Sequence, residues 1–294
     1  MTEPHGTPSD DAPHDDAPHQ DAPHDDAPRG RPPHLAADHV TLAYDQRVVV
    51  EGLSLDVPDG SFTVVVGPNA CGKSTLLRGL ARLLTPRSGA VLLDGRAVHT
   101  LPTREVARRV GLLPQSAVAP EGITVADLVS RGRYPHQGLL RQWSAADEGA
   151  VAHAMALTHV TDLADRAVDE LSGGQRQRVW LALVLAQETP VLLLDEPTTF
   201  LDIAHQYEVL DLCAGLHEQG RTLVAVLHDL NQAARYATHL VVMKDGAVAA
   251  RGAPGDVVTA RLVEDVFGLA CRVVPDPASG TPLVVPEVRA VRRR

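Results

Sequence analysis

From about Leu35 onward the chain alternates between two kinds of apolar pattern. Short runs rich in Val and Leu occupy residues 40–44, 48–57, 62–66, 90–93, 110–113, 191–194, 222–227 and 240–243. Their length and β-branched content predict strands, and the run 62–66 predicts a buried one. Longer stretches with apolar residues three and four apart predict helices at 73–84, 124–131, 145–157, 174–187, 204–218 and 258–269. Strand–helix alternation predicts an α/β core around a parallel sheet. The first strands have no helix between them, so part of the β structure is predicted antiparallel. After Cys271 the pattern fades, and only 283–285 keeps the look of an edge strand.

Upstream of Leu35 the pattern is absent. Residues 11–29 repeat every five positions, as Asp11-Ala-Pro-His14, Asp16-Ala-Pro-His19, Asp21-Ala-Pro-His24 and Asp26-Ala-Pro-Arg29. Such a segment offers almost no apolar surface to offset the entropy of ordering it. Residues 1–34 are therefore read as a disordered, acidic, His- and Pro-rich tail. Its histidines, His5, His14, His19, His24 and His34, suit loose metal binding, against which stands the plainer reading of a solvated tail.

Composition narrows the class. Aromatics make up 3% of 294 residues, so the core is built mostly from Val, Leu and Ala. The net charge is −10, of which residues 1–34 hold −6 (eight acids, two arginines), leaving about −4 for the body. A mildly acidic body argues against a nucleic-acid partner. Arg289, Arg292, Arg293 and Arg294 make a small basic end, read as solvated. Apolar runs fall short of the ~18–20 residues of a membrane span, and the N-terminus lacks the pattern of a secretory signal. A cytoplasmic chain is expected. Three scattered cysteines, Cys71, Cys213 and Cys271, suit neither a disulfide framework nor a zinc site.

Three motifs carry chemistry. Gly67-Pro68-Asn69-Ala70-Cys71-Gly72-Lys73-Ser74 fits G-x-x-x-x-G-K-[ST] and stands between a predicted strand and a predicted helix. Backbone N–H groups of such a loop and of the helix start hold phosphate oxygens. Lys73 adds a charge near the β- and γ-phosphates, Ser74 can ligate Mg²⁺, and Thr75 can help hold the α-phosphate. Cys71, near a helix start and a lysine, can have a lowered pKa, and alkylating it is expected to block nucleotide binding; the plainer reading is that a small residue simply fits there. Further on, the strand 191–194 ends in Asp195-Glu196. Asp195 is placed to hold Mg²⁺ and Glu196 to polarise an attacking water. Between them, Leu171-Ser172-Gly173-Gly174-Gln175 precedes a helix that Ser172 can cap, with two glycines that let N–H groups approach an anion. One chain holding one nucleotide needs a single such helix start. The economical reading is that this second one serves a nucleotide held by another copy; the alternative is an ordinary glycine-rich helix start.

In this order and spacing the motifs resemble the ATP-binding subunits of ABC transporters, over roughly residues 35–269. The resemblance implies an α/β P-loop NTPase fold with a mixed sheet, an antiparallel β subdomain and a helical signature subdomain at about 116–187. It divides the chain into the tail 1–34, an ATP-binding domain 35–270 and an extension 271–294. It implies that Tyr44 stacks on adenine, that Gln115 touches Mg²⁺ or the attacking water, that His228 contacts the γ-phosphate, and that Asp202 closes the D-loop. ATP would lie between Lys73 and Ser74 of one copy and Ser172 to Gly174 of a second. Two membrane-spanning permease subunits, docked on the region from Gln115 to about Gln142, and indirectly a substrate-binding protein would complete an importer, with this chain peripheral on the cytoplasmic face of the membrane. Arg131-Gly-Arg133-Tyr134-Pro-His136 and Thr198-Thr-Phe200-Leu201-Asp202-Ile-Ala-His205-Gln are similar to the iron–siderophore branch. Haem and cobalamin importers, and soluble ATPases of the same family, are the alternatives. Two departures stand out: Ala70 where the family has glycine, and Thr199-Phe200 where it often has serine-alanine.

Overall fold

The computed structural model describes Met1 and residues 34–138 and 143–287. The predicted tail, apart from Met1 and His34, the terminal arginines and part of the predicted docking region lie outside the described residues. The described body starts at His34, whose Nδ1 is 3.1 Å from Asp59 Oδ1 and whose backbone N–H donates to Asp94 Oδ1.

Four strands, β1 (Leu35–Tyr44), β2 (Arg47–Val57), β4 (Ser88–Leu93) and β5 (Arg96–Ala97), form an antiparallel sheet in the order β2-β1-β4-β5. The second sheet contains β3 (Phe62–Val66), β6 (Val110–Leu113), β7 (Val191–Asp195), β8 (Thr222–Val226), β9 (His239–Lys244) and β10 (Ala247–Gly252). Its order is β10-β9-β3-β8-β7-β6, parallel except for β10. All residues of β3, β7 and β8 are buried, which explains their near-continuous apolar runs.

Successive residues of these strands feed two cores. Val65, Leu193, Val224, Val226 and Val241 pack with helix α1 (Lys73–Leu80) and the antiparallel sheet. Val64, Leu192, Leu194, Ala225 and Leu240 pack on the other face with helices. Short α2 (Thr103–Ala107) precedes β6, and the helical region follows it as α3 (Val125–Ser130), α4 (Ala145–Leu157) and α5 (Gly173–Ala186). Then come α6 (Ile203–Glu218), α7 (Leu230–Tyr236), α8 (Pro254–Val257) and α9 (Ala260–Phe267).

Two predicted boundaries are corrected. The helix expected to reach residue 84 stops at Leu80. There Arg82 adopts φ +64° and Leu83 N–H donates to Arg78 O, a left-handed cap with arginine where glycine is usual. The fading expected after Cys271 is corrected in part: the strand expected at 283–285 is there, and a second one precedes it. β11 (Cys271–Pro275) and β12 (Pro282–Pro286) form a hairpin whose Cys271 and Val284 join the main core. Asn231 of α7 pins it, donating to Val284 O and accepting from Val284 N–H.

Candidate functional site

The loops after β3, β6, β7 and β8 open at one edge of the parallel sheet, at the carboxyl ends of the strands, where open α/β sheets hold ligands. They supply the loop 67–72, Gln115, Asp195-Glu196 and His228. A cavity of 620 Å³ lies between them and the antiparallel sheet. Tyr44, Asn69, Ala70, Gly72, Lys73, Ser74 and Thr75 line it, with Gln115, Glu196 and His228. Arg47 and Val49 of β2 also line it; nothing in their sequence context singled them out.

The loop is built for close approach. Gly67 has φ +156°, and a Cβ there would sit 2.2 Å from Met243 O. Gly72 has φ +103° and stands before α1 with no side-chain cap, so the first-turn N–H groups point onward unsatisfied by a neighbour's side chain. Ala70 has φ +62°, so the departure from glycine falls where the backbone favours glycine. Lys73 is 6% exposed, and its Nζ donates to Gly67 O and Pro68 O, each at 2.9 Å. Gly67, Pro68 and Cys71 support the loop from behind and do not line the cavity. The expected activation of Cys71 is corrected: the residue is 5% exposed, and burial pushes its thiol up against the opposing pull of Lys73.

Ser74 Oγ donates to Asp195 Oδ1 at 2.9 Å. Asp195 is 2% exposed. Burial raises its pKa, Ser74 works against the rise, and the adjacent Glu196 adds to it. Glu196 turns off the strand at φ +55°. Its Oε1 is 2.7 Å from His228 Nε2, and its Oε2 accepts from Thr199 Oγ1 at 3.2 Å. The Thr199 contact was not predicted; a hydroxyl three residues after a strand-end acid is its only sequence trace.

Ser172 to Gln175, with Asp202, line a separate cleft of 340 Å³. Ser172 Oγ accepts from Gln175 N–H, and Gln175 Oε1 accepts from Ser172 N–H. That capping box leaves the N–H groups of Gly173 and Gly174 free at the start of a 14-residue helix. Asp202 caps α6 by accepting from His205 N–H and the His205 ring, which hold its pKa down. Arg178, Phe200, Leu201 and His205 complete the cleft. The two phosphate-suited helix starts thus open into different cavities.

A glycine loop between a buried parallel strand and an uncapped helix, with an acid-ended strand in the same sheet, defines a P-loop nucleotide-binding protein. A family profile described as ABC transporter matches residues 50–199. The ferric enterobactin transport ATP-binding protein of Escherichia coli (strain K12) is 56% identical over 253 residues, 86% of this chain and 93% of that one. The petrobactin import ATP-binding protein of Bacillus anthracis is 50% identical over 261 residues, 88% and 96% of the two chains. Among solved structures, an ABC transporter of metal-chelate type in an inward-facing conformation aligns with a TM-score of 0.74 at 28% identity, covering 87% of this chain and 98% of that one. A bacterial ABC transporter cassette solved as a dimer aligns at 0.68 and 26%, over 74% and 98%. This chain belongs to the ABC transporter ATP-binding family.

Proposed function

We propose that this chain is the ATP-hydrolysing subunit of an importer for ferric siderophores. The observation that carries the ATPase half is the 620 Å³ cavity, with uncapped N–H groups at one wall and Glu196 and His228 at its mouth. Support for the cargo is the likeness to enterobactin and petrobactin transport chains, reached at 56% and 50% identity.

In this reading the phosphates of ATP lie along the N–H groups of Gly72 to Thr75. Lys73 exchanges the carbonyls of Gly67 and Pro68 for phosphate oxygens. Tyr44, Arg47 and Val49 form the wall nearest the base. The donor set fits Mg²⁺: the Ser74 hydroxyl and Asp195 carboxylate are hard oxygen ligands, fewer than a dedicated cage needs, as expected when phosphates complete the shell. The ion's contribution is to neutralise charge on the β- and γ-phosphates. Both oxygens of Glu196 are engaged, one by His228 and one by Thr199. When His228 turns to donate to a γ-phosphate oxygen, Oε1 is released to orient water and take its proton. Such assistance is worth ~10²–10⁴-fold in rate. The cleft at Ser172 to Gly174 belongs to the nucleotide of a second copy, so closure needs two chains. Two permease subunits would carry the substrate path and this chain would sit peripherally on the cytoplasmic face, served by a substrate-binding protein outside. Among the described residues no helix is long and apolar enough to cross a membrane.

The test is radio-iron uptake from a panel of ferric siderophores in a strain lacking this chain. Complementation with wild type restores uptake of at least one siderophore, and Glu196→Gln does not. Uptake dependence on haem or cobalamin alone would replace the cargo, and dependence on none would overturn the importer reading while leaving the ATPase.

A further inference from the structure

Tyr44 lines the wall nearest the proposed base, yet it belongs to neither core. Residues 44–48 are the exposed tip of the β1–β2 hairpin, turned at Asp45 with φ +46°. A side chain at such a tip changes rotamer freely, and fixing it on a ligand costs conformational entropy. Among the described residues the Tyr44 hydroxyl has one hydrogen-bond partner: Arg78 Nη1 donates to it at 3.1 Å. Arg78 lies one turn beyond Ser74 on α1 and does not itself line the cavity. Its neighbour Gly79 brings the helix within reach. A Cβ on Gly79 would sit 2.8 Å from Leu42 Cδ1, so α1 lies close against β1, and Tyr44 follows Leu42 by two residues on that strand.

We propose that Arg78 is a positioning residue for the nucleotide base: by holding the Tyr44 hydroxyl it sets the ring at the cavity wall before the base arrives. The inference rests on the reading of Tyr44 as the base's platform. The part of the ligand it governs is the planar base, and the triphosphate is held without it. Stacking needs only the face of the ring, and phenylalanine has the same face. The hydroxyl therefore matters through what it is tied to, and α1 carries both the tie and the phosphate-holding N–H groups. One helix thus fixes the distance between the two ends of the ligand.

Calorimetric titration of the full chain with ATP, and separately with inorganic tripolyphosphate, tests this. Arg78 also works against the raised pKa of Asp195, so the titrations are run without Mg²⁺. Arg78→Met is expected to raise the ATP dissociation constant about threefold to tenfold, the range that one hydrogen bond covers. Tyr44→Phe raises it by the same factor, although it leaves every charge in place. The double variant is no weaker than either single one, because both remove the same bond. Arg78→Lys, which keeps a donor, recovers most of the affinity. Tripolyphosphate, which has no base, binds all of them within twofold of wild type. A merely structural arginine would lower the thermal midpoint and weaken both ligands together. Loss of tripolyphosphate affinity equal to that of ATP would give Arg78 to the phosphates and overturn the proposal, as would single effects that multiply in the double variant or wild-type ATP affinity in Arg78→Met. Wild-type ATP affinity in Tyr44→Ala would remove the platform reading itself, before Arg78 is compared.

Discussion

Asp147 in the helical region and Asp195 at the end of β7 are 1% and 2% exposed, yet their surroundings differ completely. Asp147 accepts from the Ser144 hydroxyl at 2.7 Å, from Ser144 N–H at 3.1 Å and from Arg133 Nε at 2.9 Å. The Ser144 bonds first, then Arg133, hold its pKa down at about 2. Arg133 continues outward, its Nη1 donating to Ala186 O and Glu188 Oε2, each at 2.7 Å. One guanidinium thereby ties the turn after α3 to the start of α4 and the end of α5. Asp195 has one side-chain hydrogen bond among the described residues, from Ser74, and another acid next to it; Arg78 and Lys73 pull the other way more weakly, so burial wins and its pKa rises. A buried charge with all its partners is a fastening. A buried charge short of them suits the proposed place of Mg²⁺.

The largest effect that sharpens this contrast is Asp147→Ala. It takes from Arg133 its buried carboxylate and leaves it, for an acid partner, only the half-exposed Glu188, which costs about 3 kcal/mol, the low end for a broken buried pair. Denaturant unfolding is expected to show that loss; a shift under about 1 kcal/mol would mean that the pair fastens nothing. Asp195→Asn should act in the opposite direction on nucleotide-free protein. It removes a charge that burial disfavours, and the unfolding free energy rises by about 1 kcal/mol, with the midpoint, while Mg-ATP turnover falls at least tenfold. A fall in the midpoint would place Asp195 with the fastenings.

The acid dependence follows with opposite signs. Asp147 has a lowered folded pKa, so its contribution is present above the ordinary value of 3.8 and is lost as pH falls towards about 2. Asp195 has a raised folded pKa, so it costs stability at neutral pH, and the cost is relieved as pH falls through its folded value. Thermal midpoints recorded from pH 6 to pH 2.5 should lose their steep acid limb in Asp147→Asn and gain steepness in Asp195→Asn. The smallest effect is at the phosphate loop. Ala70→Gly relieves φ +62° and should raise stability by roughly 1 kcal/mol, a shift of about 2–4 °C in a chain of this size, read by calorimetry.

What was legible in the sequence follows a physical line. β3, β7 and β8 were readable because strands covered on both faces need uninterrupted apolar residues. The loop around Lys73 was readable because phosphate contact leaves few choices of residue. β10, with exposed and half-buried positions alternating, escaped, as did β11; of the hairpin at 271–286, whose exposed positions outnumber its buried ones, only the strand at 283–285 was legible. Cys71 was misjudged because proximity to Lys73 can be read from sequence but burial cannot. Arg47 and Thr199 were missed for the same reason: each becomes part of the site through the approach of a distant strand or a turn of the backbone.

The strand order has a consequence for synthesis. β3 lies between β8 and β9, and Phe62 pairs with Leu223, about 160 residues later in the chain. A ribosome adding ~5–20 residues per second needs roughly 10–30 s to cover that distance. Throughout it, a strand that ends fully buried has neither of its neighbours, and its two unpaired edges are open to any other extended chain. A transcript cut short before residue 222 would yield both glycine-rich motifs proposed to hold phosphate and no means of closing the sheet between β3 and β7. The window of greatest risk for this molecule is therefore its own translation, and overproduction should find its limit there, in chains not yet finished.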